Sequence, residues 1–131
     1  MFASRGRKPI VLVVDDSDDM RELMALQLQL NGYEVIEARD GLQAVELAGQ
    51  SNPALILMDI NMPVMDGMTA ARAIRDNKEL SQVAIVAFSA FKSKENQQRA
   101  LEAGCNGFVD KAEGINQLPS IVQRYVPAQY H

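Results

Sequence analysis

Five short apolar runs alternate with five longer stretches of helical length, and this alternation restricts the chain to few folds. The runs are rich in β-branched residues, as β-strands are. They are residues 10–14, 34–38, 54–58, 83–87 and 107–109. The longer stretches are residues 18–31, 41–50, 67–76, 93–103 and 116–125. Five βα units in succession predict an α/β domain with a parallel sheet and right-handed crossovers.

The composition of the runs also predicts their order in the sheet. Residues 10–14, 54–58 and 83–87 are apolar almost throughout, which is typical of parallel strands covered by helices on both faces. Residues 34–38 alternate with polar residues, which indicates an edge strand. We therefore predict a doubly wound, flavodoxin-like sheet of five parallel strands in the order 2-1-3-4-5, flanked by five helices.

Length and charge restrict the class of protein. A chain of 131 residues suits one domain, and we expect a flexible basic arm at 1–8, a folded domain at 9–126 and a short tail at 127–131. The formal net charge of −4 argues against direct binding to nucleic acid. The apolar runs are too short to span a membrane.

The supply of catalytic side chains is small. The one histidine, His131, stands at the C-terminal end, which argues against histidine catalysis and multi-histidine metal sites. The one cysteine, Cys105, is typical of a reducing compartment, so we expect a cytoplasmic protein. No Gly-rich phosphate-binding loop is present. A carboxylate is therefore the best candidate nucleophile.

Polar residues follow the predicted strands at the edge where such sheets bind ligands. Asp15 and Asp16 follow the first strand, and Asp59 follows the third. Ser89 follows the fourth strand and Lys111 the fifth. Because the first and third strands are neighbours in the predicted order, we expect three carboxylates to converge, with a hydroxyl and an ammonium group beside them.

Such a cluster needs positive charge to be stable. Two like charges about 4 Å apart repel by roughly 4 kcal/mol at an effective dielectric near 20. Lys111 supplies one positive charge, and a divalent ion that prefers oxygen ligands would supply the rest. The site therefore suits a phosphoryl group beside Mg²⁺, Mn²⁺ or Ca²⁺, with an aspartyl phosphate as the natural product.

Four segments that carry these residues resemble the receiver domain of two-component response regulators. They are Val13-Val-Asp-Asp-Ser17, Leu57-Met-Asp-Ile-Asn-Met-Pro-Val-Met-Asp-Gly67, Ala87-Phe-Ser-Ala90 and Gly107-Phe-Val-Asp-Lys111. The resemblance extends over residues 9–126, and its Met-Asp-x-x-Met-Pro-x-Met-Asp-Gly motif is highly specific. It implies a phosphorylatable signalling switch rather than a conventional enzyme.

The resemblance also implies a metal site. Asp59 would accept the phosphoryl group and contribute to the metal site. Asp16 would be the main metal carboxylate, and Asp15 would orient water on the metal. Asn61 would offer its backbone carbonyl. The implied cofactor is Mg²⁺, for which Mn²⁺ can substitute.

Further roles follow from the same resemblance. Ser89 would hydrogen-bond a phosphoryl oxygen, and Lys111 would pair with another oxygen or with unphosphorylated Asp59. Ser89 and Phe108 would form the switch, which reshapes the face of the fourth helix, fifth strand and fifth helix. That face would bind an unidentified downstream protein or a second copy of the chain. The implied phosphodonor is a sensor histidine kinase or a histidine phosphotransfer protein.

One position departs from the family pattern. Ala112 follows Lys111 where most family members have proline. The Lys–Pro bond of the family is typically cis, whereas a cis bond before another residue type costs about 2.5–4 kcal/mol. The sequence therefore leaves the Lys111–Ala112 geometry, and with it the placement of Lys111, open.

Other readings of the sequence stay open. The chain could be a stand-alone regulator of the chemotaxis type, a phosphorelay intermediate or a domain of a longer protein. A receiver-like module that works without phosphorylation would lack the acceptor or a metal carboxylate, and neither is missing. A haloacid dehalogenase-type phosphotransferase needs an aspartate two residues after its nucleophile, whereas Asp59 is followed by Ile60 and Asn61.

Overall fold

The computed structural model of the protein describes residues 8–62, 65–91 and 93–127. The main elements are β1 (Ile10–Val14), α1 (Asp18–Leu30), β2 (Glu34–Ala38), α2 (Gly41–Ser51), β3 (Leu55–Asp59), α3 (Gly67–Asp76), β4 (Ala84–Ser89), α4 (Lys94–Glu102), β5 (Gly107–Asp110) and α5 (Leu118–Tyr125). A 3₁₀ turn at Lys78–Leu80 precedes β4. A helical turn at Lys111–Gly114 and a 3₁₀ turn at Ile115–Gln117 join β5 to α5. The predicted arm and tail lie outside the described residues, apart from Lys8 and Pro127.

The described strands form one parallel sheet in the order β2-β1-β3-β4-β5. This order confirms the predicted flavodoxin-like fold. It places β1 beside β3, with Val14 paired to Met58, so that the residues after these two strands are neighbours. The strand order changes direction between β1 and β3, and ligand sites in sheets of this kind form at such switch points.

Helices cover both faces of the sheet and divide the core into two layers. Successive side chains of a strand point to opposite faces, so each central strand contributes to both layers. One layer joins Leu12, Ile56 and Ile85 to residues of α2, α3 and α4. The other layer contains Val13 and Leu57, with residues of α1 and α5. Burial on both faces explains why the central strands read as continuous apolar runs.

Four helices begin at a side chain that caps the first turn. Ser17, Asp40, Asp66 and Ser93 each accept a hydrogen bond from the backbone N–H three residues later. Such caps satisfy N–H groups that have no partner within the helix. Because the helices follow the strands, these caps lie near the same sheet edge as the site.

Three strands have boundaries that differ from the prediction, and β5 ends one residue later than predicted, at Asp110. β3 is one residue further along than predicted, so it ends on Asp59, and β4 continues to Ser89. The pairing of Asp59 with Phe88 and of Ser89 with Asp110 extends both strands into polar residues. The side chains of Asp59 and Ser89 are therefore held by strands of the sheet rather than by a loop. None of the described helices is both long and apolar enough to cross a membrane.

Candidate functional site

Three carboxylates meet at the carboxyl ends of β1 and β3. Asp15, Asp16 and Asp59 each offer one oxygen, and these oxygens all lie within 4.8 Å of one another. Asp15 and Asp59 are buried, with 2% and 5% of their surfaces exposed, whereas Asp16 is exposed. The cluster therefore has two buried acids beneath one that faces solvent.

The loop after β1 and the helix α1 each fix Asp15 by one hydrogen bond. Its Oδ1 accepts a hydrogen bond from Ser17 N at 2.9 Å. The backbone carbonyl of Asp15 accepts another from Arg21 Nη1 at 2.8 Å. Arg21 also contacts Glu37 of β2 and Asp18 of α1. The sequence reasoning missed Arg21, because no motif marks a helix arginine that bonds a backbone carbonyl.

Lys111 supplies the positive charge within the cluster. Its Nζ lies 2.8 Å from Asp15 Oδ2 and 3.3 Å from Asp59 Oδ2. Burial alone would lower the pKa of Lys111, but its contacts with Asp15 and Asp59 outweigh burial and raise that pKa. Lys111 therefore stays charged and screens the two buried acids from each other.

Asp59 remains poorly stabilised as an anion despite this lysine. Its Oδ1 accepts a hydrogen bond from Asn61 N at 3.0 Å. Burial raises the pKa of Asp59, and the Asn61 N–H and the Lys111 charge oppose that rise only in part. The nearby charge of Asp15 adds to it. The Asp59 carboxylate would gain from further positive charge.

The structure defines the geometry of the Lys111–Ala112 peptide bond, which the sequence left open. No peptide bond within the described residues is cis, so the Lys111–Ala112 bond is trans. Lys111 nevertheless reaches both Asp15 and Asp59. It does so from the first position of the helical turn Lys111–Gly114, which the sequence analysis did not predict.

Gly67 explains part of the motif that contains Asp59. A Cβ atom at Gly67 would lie 2.6 Å from the carbonyl oxygen of Asp59 and 2.7 Å from Cα of Ile60. No side chain fits at these distances. The first residue of α3 therefore packs directly against the backbone that carries Asp59, which only glycine allows.

Ser89 is fully buried at the end of β4. Its Oγ accepts a hydrogen bond from Phe91 N at 3.0 Å and donates one to Phe91 O at 3.1 Å. Asn61 Nδ2 donates to the same oxygen at 3.4 Å. A side chain two residues after Asp59 thus contacts the serine hydroxyl, a role for Asn61 that the sequence analysis did not foresee.

Phe108 lies apart from the carboxylates. It is half-buried on β5 and packs against the layer under α2, α3 and α4. It also lines a cavity of about 220 Å³ on the face of α4, β5 and α5, together with Ile121 and Arg124. Phe108 therefore borders a cavity that α5 also lines.

The donor atoms of the cluster fit a small divalent cation. All three are carboxylate oxygens, the ligand type that Mg²⁺ and Mn²⁺ prefer over nitrogen or sulfur. Asp59 gains stabilisation as an anion from any added positive charge, as its raised pKa indicates. Asp15, Asp16 and Asp59 are thus suited to hold Mg²⁺ together.

The sequence profile of the response regulator receiver domain matches residues 11–123. This chain belongs to that family. The polar-differentiation response regulator DivK of Brucella ovis is 30% identical over 116 residues, which cover 88% of this chain and 94% of DivK. Membership confirms the resemblance inferred from the motifs and identifies a receiver domain of two-component signalling.

Solved receiver domains have the same fold. The chemotaxis protein CheY4 of Vibrio cholerae superposes with a TM-score of 0.86 at 32% identity, over 91% of this chain and 99% of CheY4. The receiver domain of the sensor histidine kinase PA1611 of Pseudomonas aeruginosa, with a magnesium ion coordinated in its active-site cleft, gives 0.84 at 32% identity. That match covers 92% of this chain and 98% of the other. Receiver domains are signalling switches rather than conventional enzymes, in contrast to the haloacid dehalogenase alternative.

Proposed function

We propose that this receiver domain accepts a phosphoryl group on Asp59 in a Mg²⁺-dependent reaction. The observation that carries the proposal is the convergence of three carboxylate oxygens within 4.8 Å, with Lys111 Nζ bonded to two of the acids. Asp15, Asp16 and Asp59 would hold the metal, together with the backbone carbonyl of Asn61. Mn²⁺ would substitute for Mg²⁺, since it takes the same oxygen ligands.

Phosphotransfer requires an Asp59 oxygen to lie in line with the N–P bond of a phosphohistidine. The Asp59 carboxylate oxygen attacks phosphorus, an O–P bond forms, and the N–P bond breaks with its electron pair leaving on the imidazole nitrogen. Lys111 binds one phosphoryl oxygen and the hydroxyl of Ser89 another. Bound Mg²⁺ supplies positive charge to the transferring oxygens. Positioning and electrostatics therefore account for most of the rate acceleration.

The switch would begin at Ser89. Phosphorylation adds roughly 1.5 to 2 negative charges and strong acceptors to Asp59. Ser89 Oγ would then leave its bonds to Phe91 and donate to the phosphoryl group. Phe108 would move into the space that this rearrangement opens, and the face of α4, β5 and α5 would change shape. A cavity of about 220 Å³ that Phe108 lines on this face supports the proposal, because the face is not closely packed there.

The partners would be those of a two-component pathway. The phosphodonor would be a sensor histidine kinase or a histidine phosphotransfer protein. The output would be an unidentified protein, or a second copy of this chain, bound on the α4–β5–α5 face. We place the protein in the cytoplasm, with no direct contact with membrane or nucleic acid. The similarity to DivK, a response regulator, and to a receiver domain of a sensor histidine kinase supports the assignment to a two-component pathway.

The test is phosphorylation by a small donor. Wild-type protein incubated with Mg²⁺ and acetyl phosphate should gain one phosphoryl mass, measured on the intact protein. Asp59→Asn and wild type in excess EDTA should gain none. Lys111→Ala should react at least about tenfold more slowly, because one charged contact to the phosphoryl oxygens is lost.

The matched control is Asp18→Asn, which removes an acid from the same region but outside the cluster. The Asp18 side chain is 76% exposed, and we expect its variant to react like wild type. Absence of any mass gain in wild type would contradict the proposal and favour the receiver-like module that works without phosphorylation. Size-exclusion chromatography of the phosphorylated protein would show whether it dimerises.

A further inference from the structure

Asp110 has two structural roles at once. It is the last residue of β5, where it pairs with Ser89, and it caps the helical turn Lys111–Gly114. Its Oδ1 accepts hydrogen bonds from Ala112 N at 3.0 Å and from Glu113 N at 3.2 Å. The first bond needs an N–H at position 112, which alanine has and proline lacks.

The other end of the turn is also fixed. A Cβ atom at Gly114 would lie 2.5 Å from Val109 Cγ1 and 3.0 Å from Phe88 Cε2. Gly114 is therefore packed against the side chains of Val109 on β5 and Phe88 on β4, with no space for a Cβ atom. The turn is bonded at its start and packed at its end, so its first residue has little freedom.

That first residue is Lys111. Its backbone follows the capped turn, and its Nζ reaches Asp15 Oδ2 at 2.8 Å and Asp59 Oδ2 at 3.3 Å. A turn that lost its cap would release the Lys111 backbone, and a shift of about 1 Å at a catalytic group can cost roughly a hundredfold in rate.

We infer that Asp110 is a positioning residue for Lys111, and that the trans bond to Ala112 and the capped turn together place the lysine in this chain. The inference rests on the proposed function, because Lys111 must act on the transferring phosphoryl group for its placement to matter. It depends on the residue at position 112, since one of the two cap bonds uses the N–H that alanine provides.

The experiment compares Asp110→Ala with Asp110→Asn in the acetyl phosphate reaction. Asparagine keeps an acceptor oxygen and should retain a rate near that of wild type. Alanine removes both bonds and should slow phosphorylation roughly tenfold or more. Asp40→Ala is the control, because it removes the carboxylate that caps α2 and the same unit of charge. We expect Asp40→Ala to keep the wild-type rate.

A second measurement separates displacement of Lys111 from damage to the fold. Magnesium affinity is measured by isothermal titration calorimetry on each variant without a phosphodonor. Displacing Lys111 removes a positive charge from beside Asp15 and Asp59, so Asp110→Ala should bind Mg²⁺ as tightly as wild type or more tightly. A disordered site would bind Mg²⁺ more weakly, which would overturn the inference.

A third variant approaches the same turn from its other end. Gly114→Ala leaves the Asp110 cap in place but forces the turn away from Val109. It should slow phosphorylation and leave magnesium affinity intact, as Asp110→Ala does. A wild-type rate in Asp110→Ala would overturn the inference. Failure of wild-type protein to be phosphorylated at all would instead overturn the proposed function.

Discussion

Asp59 is buried and lies beside other acids, and both features make its ionised form less stable in the folded protein. Only 5% of the residue is exposed, and burial is the main reason that its pKa is raised. Because the pKa of an unfolded aspartate is about 3.9, the folded protein holds the Asp59 proton to a higher pH than the unfolded chain does. Ionisation of Asp59 therefore opposes folding.

This cost predicts that Asp59→Asn stabilises the metal-free protein. Stability of the wild type falls as pH rises from the unfolded pKa through the higher folded pKa of Asp59. We expect the variant to be more stable than wild type at pH 7 in EDTA, because asparagine has no charge to desolvate and Lys111 keeps its contact with Asp15. The difference should shrink toward pH 4.

Urea unfolding followed by circular dichroism, between pH 4 and pH 7, measures this difference. Asp18→Asn serves as the control, because its exposed side chain should leave stability nearly unchanged. Equal or lower stability of Asp59→Asn at pH 7 would show that Lys111 fully compensates the Asp59 charge.

Positions of the site residues could be predicted from the sequence, whereas several of their contacts could not. Asp15, Asp59 and Ser89 stand at strand ends, and parallel sheets bring such ends to one edge. The bonds from Arg21 to the Asp15 carbonyl and from the Asn61 amide to Ser89 depend on side-chain rotamers. No spacing in the sequence encodes those rotamers.

At the scale of the element, α1 shows where periodicity is ambiguous. The sequence analysis placed 18–31 in a helix, but its apolar residues occupy most of the circumference. The structure buries Met24, Ala25 and Leu28, while Leu23, Leu26 and Leu30 remain exposed. Burial follows contact with β1, β2 and α5 rather than hydrophobicity alone.

Two leucines on α1 therefore make a matched pair for mutagenesis. Leu28 is fully buried and Leu26 is 54% exposed. We expect Leu28→Ala to lower the free energy of unfolding by about 3 kcal/mol, through lost burial and the cavity left behind. Leu26→Ala should change it by less than about 0.5 kcal/mol. Urea unfolding measures both, and similar effects of the two variants would contradict the packing described for α1.

The segment after β5 was the hardest element to predict. The sequence analysis began the last helix at residue 116, whereas the chain turns helical at Lys111 and reaches α5 at Leu118. A single turn of four residues has no detectable apolar period. The turn is defined by the Asp110 cap and by the close contact of Gly114 with β5 and β4. Both features can be recognised only once β4 and β5 are known to be adjacent.

At the scale of the whole molecule, the site exists only in the folded sheet. Its acids and its lysine come from the loop after β1, the end of β3 and the turn after β5, which are far apart in sequence. The strand order could be predicted because central strands are apolar on both faces. The exposure of Asp16 above two buried acids could not, since it depends on how loops close over the sheet edge.

The most direct test of phosphorylation at Asp59 is to locate the modified residue chemically. Borohydride reduces an aspartyl phosphate to homoserine, and peptide mass mapping then identifies the position. After treatment with Mg²⁺ and acetyl phosphate, we predict homoserine at position 59 and unmodified aspartate at Asp15 and Asp16. Homoserine at position 15 or 16, or at no position, would contradict the assignment of Asp59 as the phosphoacceptor.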